Sequence, residues 1–201
     1  MQHLHGDEHI TFDGMPIGYM LQDFWAWNSS NLLNNTIRGA YCEFIVSAAL
    51  GLDLDDTNSD WDAYDIDFPH NWVHNGVPRD SVHIEVKSSA YLQAWEQSKP
   101  SAIQFSIRPT RAWTPQTGYD SAVKRQSDIY IFCLYHVTDR ASADPLNLDG
   151  WDFYVISTDT LNAHCGPQKT LSLAGLRSLH PIQTDFSGLP DAVIASLQSC
   201  T

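Results

Sequence analysis

Val82-His83-Ile84-Glu85-Val86-Lys87 is the stretch on which the reading of this chain turns. Successive side chains of a strand point to opposite faces. Val82, Ile84 and Val86 therefore make an apolar face, and His83, Glu85 and Lys87 share the other. A carboxylate and an ammonium thus stand side by side on the polar face of a strand. Upstream, Tyr64-Asp65-Ile66-Asp67-Phe68 alternates in the same way, with Asp65 and Asp67 on one face and Ile66 and Phe68 on the other. Pro69 is expected to end this strand, and Asn75-Gly76 is a turn signal within the polar connection. The two strands read as a hairpin with a long tip, and pairing them brings Asp65 toward Glu85. Two carboxylates that close repel, and a divalent cation is the usual remedy.

Working outward, a helix is expected from about residue 30 to 50, capped by Ser29 or Ser30 and closed by Gly51. Its second half carries one charged residue, Glu43, so the helix is buried on most sides. Residues 51–67 hold seven aspartates and no Lys or Arg. After the hairpin the pattern predicts a helix from Ala90 to Gln97, a strand from Ile103 to Ile107 and a loop over 108–120. The clearest buried strand runs from Asp128 to Val137 (DIYIFCLYHV). Another follows from Trp151 to Ser157, and then a mixture of short helices and turns. Residues 1–20, punctuated by Gly6, Gly14, Pro16 and Gly18, read as irregular, with an aromatic cluster at Phe24, Trp25 and Trp27 behind them.

A length of 201 residues with 43% hydrophobic composition suits a single domain, with residues 1–29 as an N-terminal extension and the core motif over about 30–137. No apolar run is long enough to span a membrane, and the polar, His-containing N-terminus lacks the parts of a signal peptide. Cys42, Cys133, Cys165 and Cys200 are scattered, and reduced thiols in a cytoplasmic protein are expected. The net charge of −13 argues against a protein that coats nucleic acid by bulk charge. Residues 99–125 reverse that sign locally. Lys99, Arg108, Arg111, Lys124 and Arg125 face a single acid, Asp120, and are interleaved with Trp113 and Tyr119. Such a mixture suits phosphate contact and base stacking.

The ordered set of helix Glu43, strand Asp65 and strand Glu85-Val86-Lys87 resembles the PD-(D/E)XK, or restriction-endonuclease-like, nuclease superfamily. The resemblance covers roughly residues 36–97 and extends to the strand at 128–137. Tyr64 stands where the signature has its proline, a common departure, and Asp62 and Asp67 are alternatives to Asp65. The resemblance implies an α/β fold with a mixed central sheet flanked by helices. It implies a Mg²⁺-dependent phosphodiesterase, with Mn²⁺ as substitute, acting on nucleic acid, most naturally as a DNA endonuclease in restriction, defence or DNA processing and as a homodimer. Asp65, Glu85 and the Val86 carbonyl would hold the metal, Glu43 would bind a second ion directly or through water, and Lys87 would polarise the attacking water. Gln93, on the helix after Glu85-x-Lys87, and Arg38, near Glu43, are accessory candidates for the metal water or a phosphate. The alternatives are a non-catalytic nucleic-acid-binding or assembly module on the same fold, and a zinc hydrolase built on His70 and His74.

Overall fold

A computed structural model describes residues 3–55, 63–114 and 118–198. The chain opens on a hairpin, β1 (His9–Phe12) and β2 (Met15–Met20), where irregular structure was expected. Its two-residue turn, Asp13-Gly14, has φ of 51° and 75°, the positive values that a hairpin of this length demands. Next comes α1 (Leu21–Ser29), which carries the aromatic cluster, then α2 (Asn35–Ala49). The expected single helix start near Ser30 is thus a break between two helices. Asn34 caps α2, its side chain accepting from the N–H groups of Thr36 and Ile37. Gly51 follows the helix with φ of 69°.

The hairpin is longer and tighter than the sequence suggested. β3 (Ile66–His74) and β4 (Val77–Ala90) are antiparallel and joined directly by Asn75-Gly76. Pro69 does not stop β3, because β3 lies at the edge of its sheet, where a missing N–H costs no ladder bond, and the register shifts between Pro69 and Trp72. His70 and His74, expected in a turn, therefore sit on a strand. β4 runs on to Ala90, paired with Tyr135, and residues 91–98 form a loop instead of the expected helix. Pairing with the central strand overrides the local helical pattern there.

The remaining elements are β5 (Gln104–Ser106), β6 (Trp113–Thr114), β7 (Gly118–Tyr119), β8 (Ile129–Tyr135), β9 (Trp151–Ser157), α3 (Thr158–Cys165), β10 (Thr170–Ser172), α4 (Leu173–Ser178), β11 (Ile182–Thr184) and α5 (Leu189–Gln198). The fold is mixed α/β. Its central sheet has five strands in the order β11-β9-β8-β4-β3, with β4 and β8 parallel and the other neighbours antiparallel. Every residue of β8 is buried, as its unbroken apolar sequence requires. One core packs α2 and α5 against Ile84, Val86, Ile131, Cys133 and Phe153. The other packs β5, α3, β10 and α4 against Tyr130, Phe132, Tyr154 and Ile156. Cys42, Cys133 and Cys165 are buried free thiols, as the apolar runs around the first two imply. Among the described residues no helix is long and apolar enough to cross a membrane.

Candidate active site

Val82, Ile84 and Val86 enter the core beneath α2, which turns Glu85 and Lys87 to the opposite face. There they stand at the margin of the second apolar layer, opposite Tyr130 and Phe132 of β8. Asp65 lies just before β3. Its N–H donates to the Ile84 carbonyl at 3.1 Å, and its Oδ2 accepts the Val86 N–H at 2.7 Å. The Asp65 carboxylate thus takes the next rung of the ladder where β3 has no strand residue left. A strand residue's N–H and carbonyl point to the same edge, so the Val86 carbonyl also faces the Asp65 side.

Lys87 joins the two acids. Its Nζ donates to Glu85 Oε1 at 2.7 Å and to Asp65 Oδ2 at 3.4 Å. Glu85 Oε2 accepts from Ser127 Oγ at 3.1 Å. The three charged side chains are 20–27% exposed, so they are reachable yet poorly screened. Burial pushes the Glu85 carboxyl above its ordinary range, against the pull of the Lys87 ammonium and with help from the charge of Asp65. For Lys87, burial disfavours the ammonium, but Asp65 and Glu85 more than offset it and the net shift is upward. The neighbouring Tyr130 hydroxyl is pushed up by burial first and by Glu85 second.

Glu43 sits half-buried on α2. Tyr41 leaves that helix toward Trp151 of β9. Glu43, two residues on, leaves the helix about 200° further round from Tyr41. Among the described residues no group of three or more His, Cys, Asp or Glu side chains is arranged to hold a metal ion. The cluster as described is two carboxylates and a lysine. Asp62 lies outside the described residues, and Asp67, exposed, points toward His83 at 3.9 Å.

The accessory candidates take other places. Gln93 is in the loop after β4 and buried, its Nε2 donating to the Ala90 carbonyl at 2.9 Å. Arg38 is buried as well. It bonds Ser88 Oγ at 3.3 Å, the Leu33 carbonyl at 3.1 Å and Asn35 Oδ1 at 2.8 Å, and burial lowers its guanidinium pKa. Of the five cations in 99–125, Lys99, Arg108, Arg111 and Lys124 are exposed. Arg125 is a correction to the expected surface contact: it is buried and ties Ile107 O, Asn162 Oδ1 and Gln168 O together at 2.7–3.2 Å. A guanidinium has donors enough to brace three segments at once, which its sequence neighbours do not disclose.

No family model matches this chain, and neither does any curated protein or solved structure.

Beside the acids lies a cleft of about 390 Å³, lined by Tyr64, Trp72, His74, Arg79, His83 and Lys124 together with Ser127. Tyr64 and His83 stack with centroids 3.9 Å apart, and His74 pairs with Asp159 at 2.8 Å. Arg79, His83 and Ser127 were missed as site residues. The available signal was His83, on the same strand face as Glu85; Ser127 and Arg79 gather there only through the β4–β8 pairing and the tight hairpin turn.

Proposed function

We propose that the chain is a metal-dependent nuclease of the PD-(D/E)XK type that hydrolyses phosphodiester bonds in nucleic acid, DNA before RNA. The observation that carries this is the convergence of Asp65, Glu85 and Lys87 at one poorly screened point beside a cleft with cations and aromatic rings. The donor set fits Mg²⁺, which binds through one or two carboxylates and keeps positions for waters and substrate phosphates. Asp65, Glu85 and the Val86 carbonyl would hold it, and Glu43 of α2 would bind a second ion directly or through water. Bound there, it would neutralise phosphoryl oxygens and lower the pKa of a water. It would also offset the burial, and the smaller repulsion from Asp65, that raise the Glu85 carboxyl. Lys87, held by both acids, positions its ammonium to orient the attacking water and to stabilise charge developing on the phosphoryl group. The exposed Lys99, Arg108, Arg111 and Lys124 supply phosphate contacts that an acidic protein otherwise lacks.

The test is incubation with plasmid, single-stranded DNA and RNA in Mg²⁺ or Mn²⁺, with EDTA as control. Cleavage that EDTA stops, and that Lys87→Ala reduces by about a hundredfold or more at unchanged fold, is expected. Wild-type turnover in Lys87→Ala would remove the assigned role, and no cleavage of any substrate would remove the enzyme. The exposed apolar arm formed by β1, β2 and α1 favours self-association into a homodimer. With an inactive wild type, that arm would make assembly the better reading.

A further inference from the structure

On the other side of Lys87 from the cleft at Tyr64 lies a second cleft, of about 400 Å³, between the first turn of α2 and the end of β4. Three of its features call for a ligand, and each asks for a different chemical group. Arg38 is 5% exposed, and no carboxylate lies within 4 Å of it among the described residues. Its three bonds go to neutral oxygens. Arginine is almost never buried without an anion, because an unpaired buried charge is costly. The Gln93 side chain is 7% exposed, and its Oε1 is buried without a hydrogen-bond partner. A buried carbonyl oxygen of this kind lacks a donor. Trp95, in contrast, is 57% exposed at the cleft, an indole face open to solvent.

The loop that carries Gln93 and Trp95 is held rigidly. Arg140 Nη2 donates to the Gln93 carbonyl at 2.8 Å and to the Trp95 carbonyl at 2.7 Å, and the Gln93 N–H donates to Gln97 Oε1 at 2.7 Å. These bonds tie down the backbone of the loop, so a turn of the Gln93 side chain, whose Oε1 is buried in this structure, is the movement needed to present that oxygen to a ligand.

An inorganic anion would answer Arg38 but leave the indole idle. A ligand with an anionic oxygen, an N–H or O–H donor and a planar ring answers all three features. We propose that this cleft is a nucleotide subsite, with one phosphate on Arg38 and Ser88, a base amine or sugar hydroxyl on Gln93 Oε1, and the base against Trp95. Ser89, which lines the cleft, shares the Lys87 face of β4 and lies two residues further on, about 6.6 Å along the strand. The nucleotide held here is therefore a neighbour of the scissile one on the same strand. That last placement rests on the nuclease reading; the binding chemistry does not.

The probes are a single-stranded deoxyoligonucleotide and inorganic phosphate, titrated into the full-length protein with Ca²⁺ replacing Mg²⁺. Trp95→Ala should weaken the oligonucleotide by about five- to 150-fold, the worth of one stacked base. It should leave phosphate affinity and the melting temperature unchanged, since the indole is exposed. Arg38→Lys should weaken both probes, because a point charge replaces a planar fork. Oligonucleotide affinity unmoved by Trp95→Ala overturns the proposal even if the Arg38 variant fails to fold. Phosphate binding as tight as oligonucleotide binding overturns it too, leaving a site for a free anion. Weakened binding in Trp95→Ala, in a protein that cleaves no nucleic acid, would uphold the subsite while removing the nuclease.

Discussion

Glu85 is held where its charge is unwelcome, and that fixes a pH dependence. Its folded pKa lies above the ordinary carboxyl value of 4.5, with burial the leading cause. The folded state therefore binds the proton more tightly than the unfolded chain. Its stabilising contribution is complete below pH 4.5 and is lost as pH rises through the raised value. Glu85→Gln, which resembles the protonated form, should melt at or above the wild-type temperature at neutral pH and show a smaller loss between acid and neutral. A mutant less stable than wild type at pH 7, by thermal melts across pH 4–8, would mean that the Lys87–Glu85 contact outweighs burial. Lys87 follows the same sign at higher pH: its raised pKa keeps its contribution intact below pH 10.5, and the contribution is lost as pH climbs through the folded value. The alternation of residues 82–87 disclosed both side chains, because a strand's period of two leaves a charged residue only one face to occupy. Arg38 and Arg125 gave no such signal. Whether a cation is buried depends on the oxygens that distant segments bring to it, here from residue 33 to 88 and from 107 to 168.

At the scale of elements, long and strongly patterned segments were legible and short or shared ones were not. β8 and β9 stand almost where their apolar runs put them. The missed helix at 90–97 and the surviving strand at Pro69 share one cause: β4 and β3 take their lengths from neighbours in the sheet. The Asp13-Gly14 turn was readable, since Asp-Gly is a hairpin signal, but three nearby glycines and prolines obscured it. The central role of β8 predicts that Phe132→Ala, at a fully buried position, costs about 3–5 kcal/mol in urea denaturation. Asn34→Ala, which removes the α2 cap, should cost about 1 kcal/mol. Equal losses in the two variants would contradict the layered core described above.

For the molecule as a whole, the feature that stands apart is the arm of β1, β2 and α1. None of its strand or helix residues is buried, and Phe12, Met15 and Trp27 are 69–82% exposed. A lone hairpin with a helix is marginal in water, so the arm needs a surface to cover it. Removing residues 1–29 should turn a dimer into a monomer by sedimentation while the remaining domain keeps its melting temperature. A full-length chain that sediments as a monomer would exclude self-association through the arm. The parallel pairing of β4 with β8 has a kinetic consequence. Ile84 meets Ile129 across 45 residues of chain, and the described residues of the connection between the two strands contain no α-helix. The hairpins β3–β4 and β8–β9 can each close locally, but joining them requires that long loop to be ordered first, with little reward until contact is made. Folding should therefore be limited by this single docking event, in milliseconds to seconds. Until it occurs, the edges of β4 and β8 that later meet are unpaired templates for another chain.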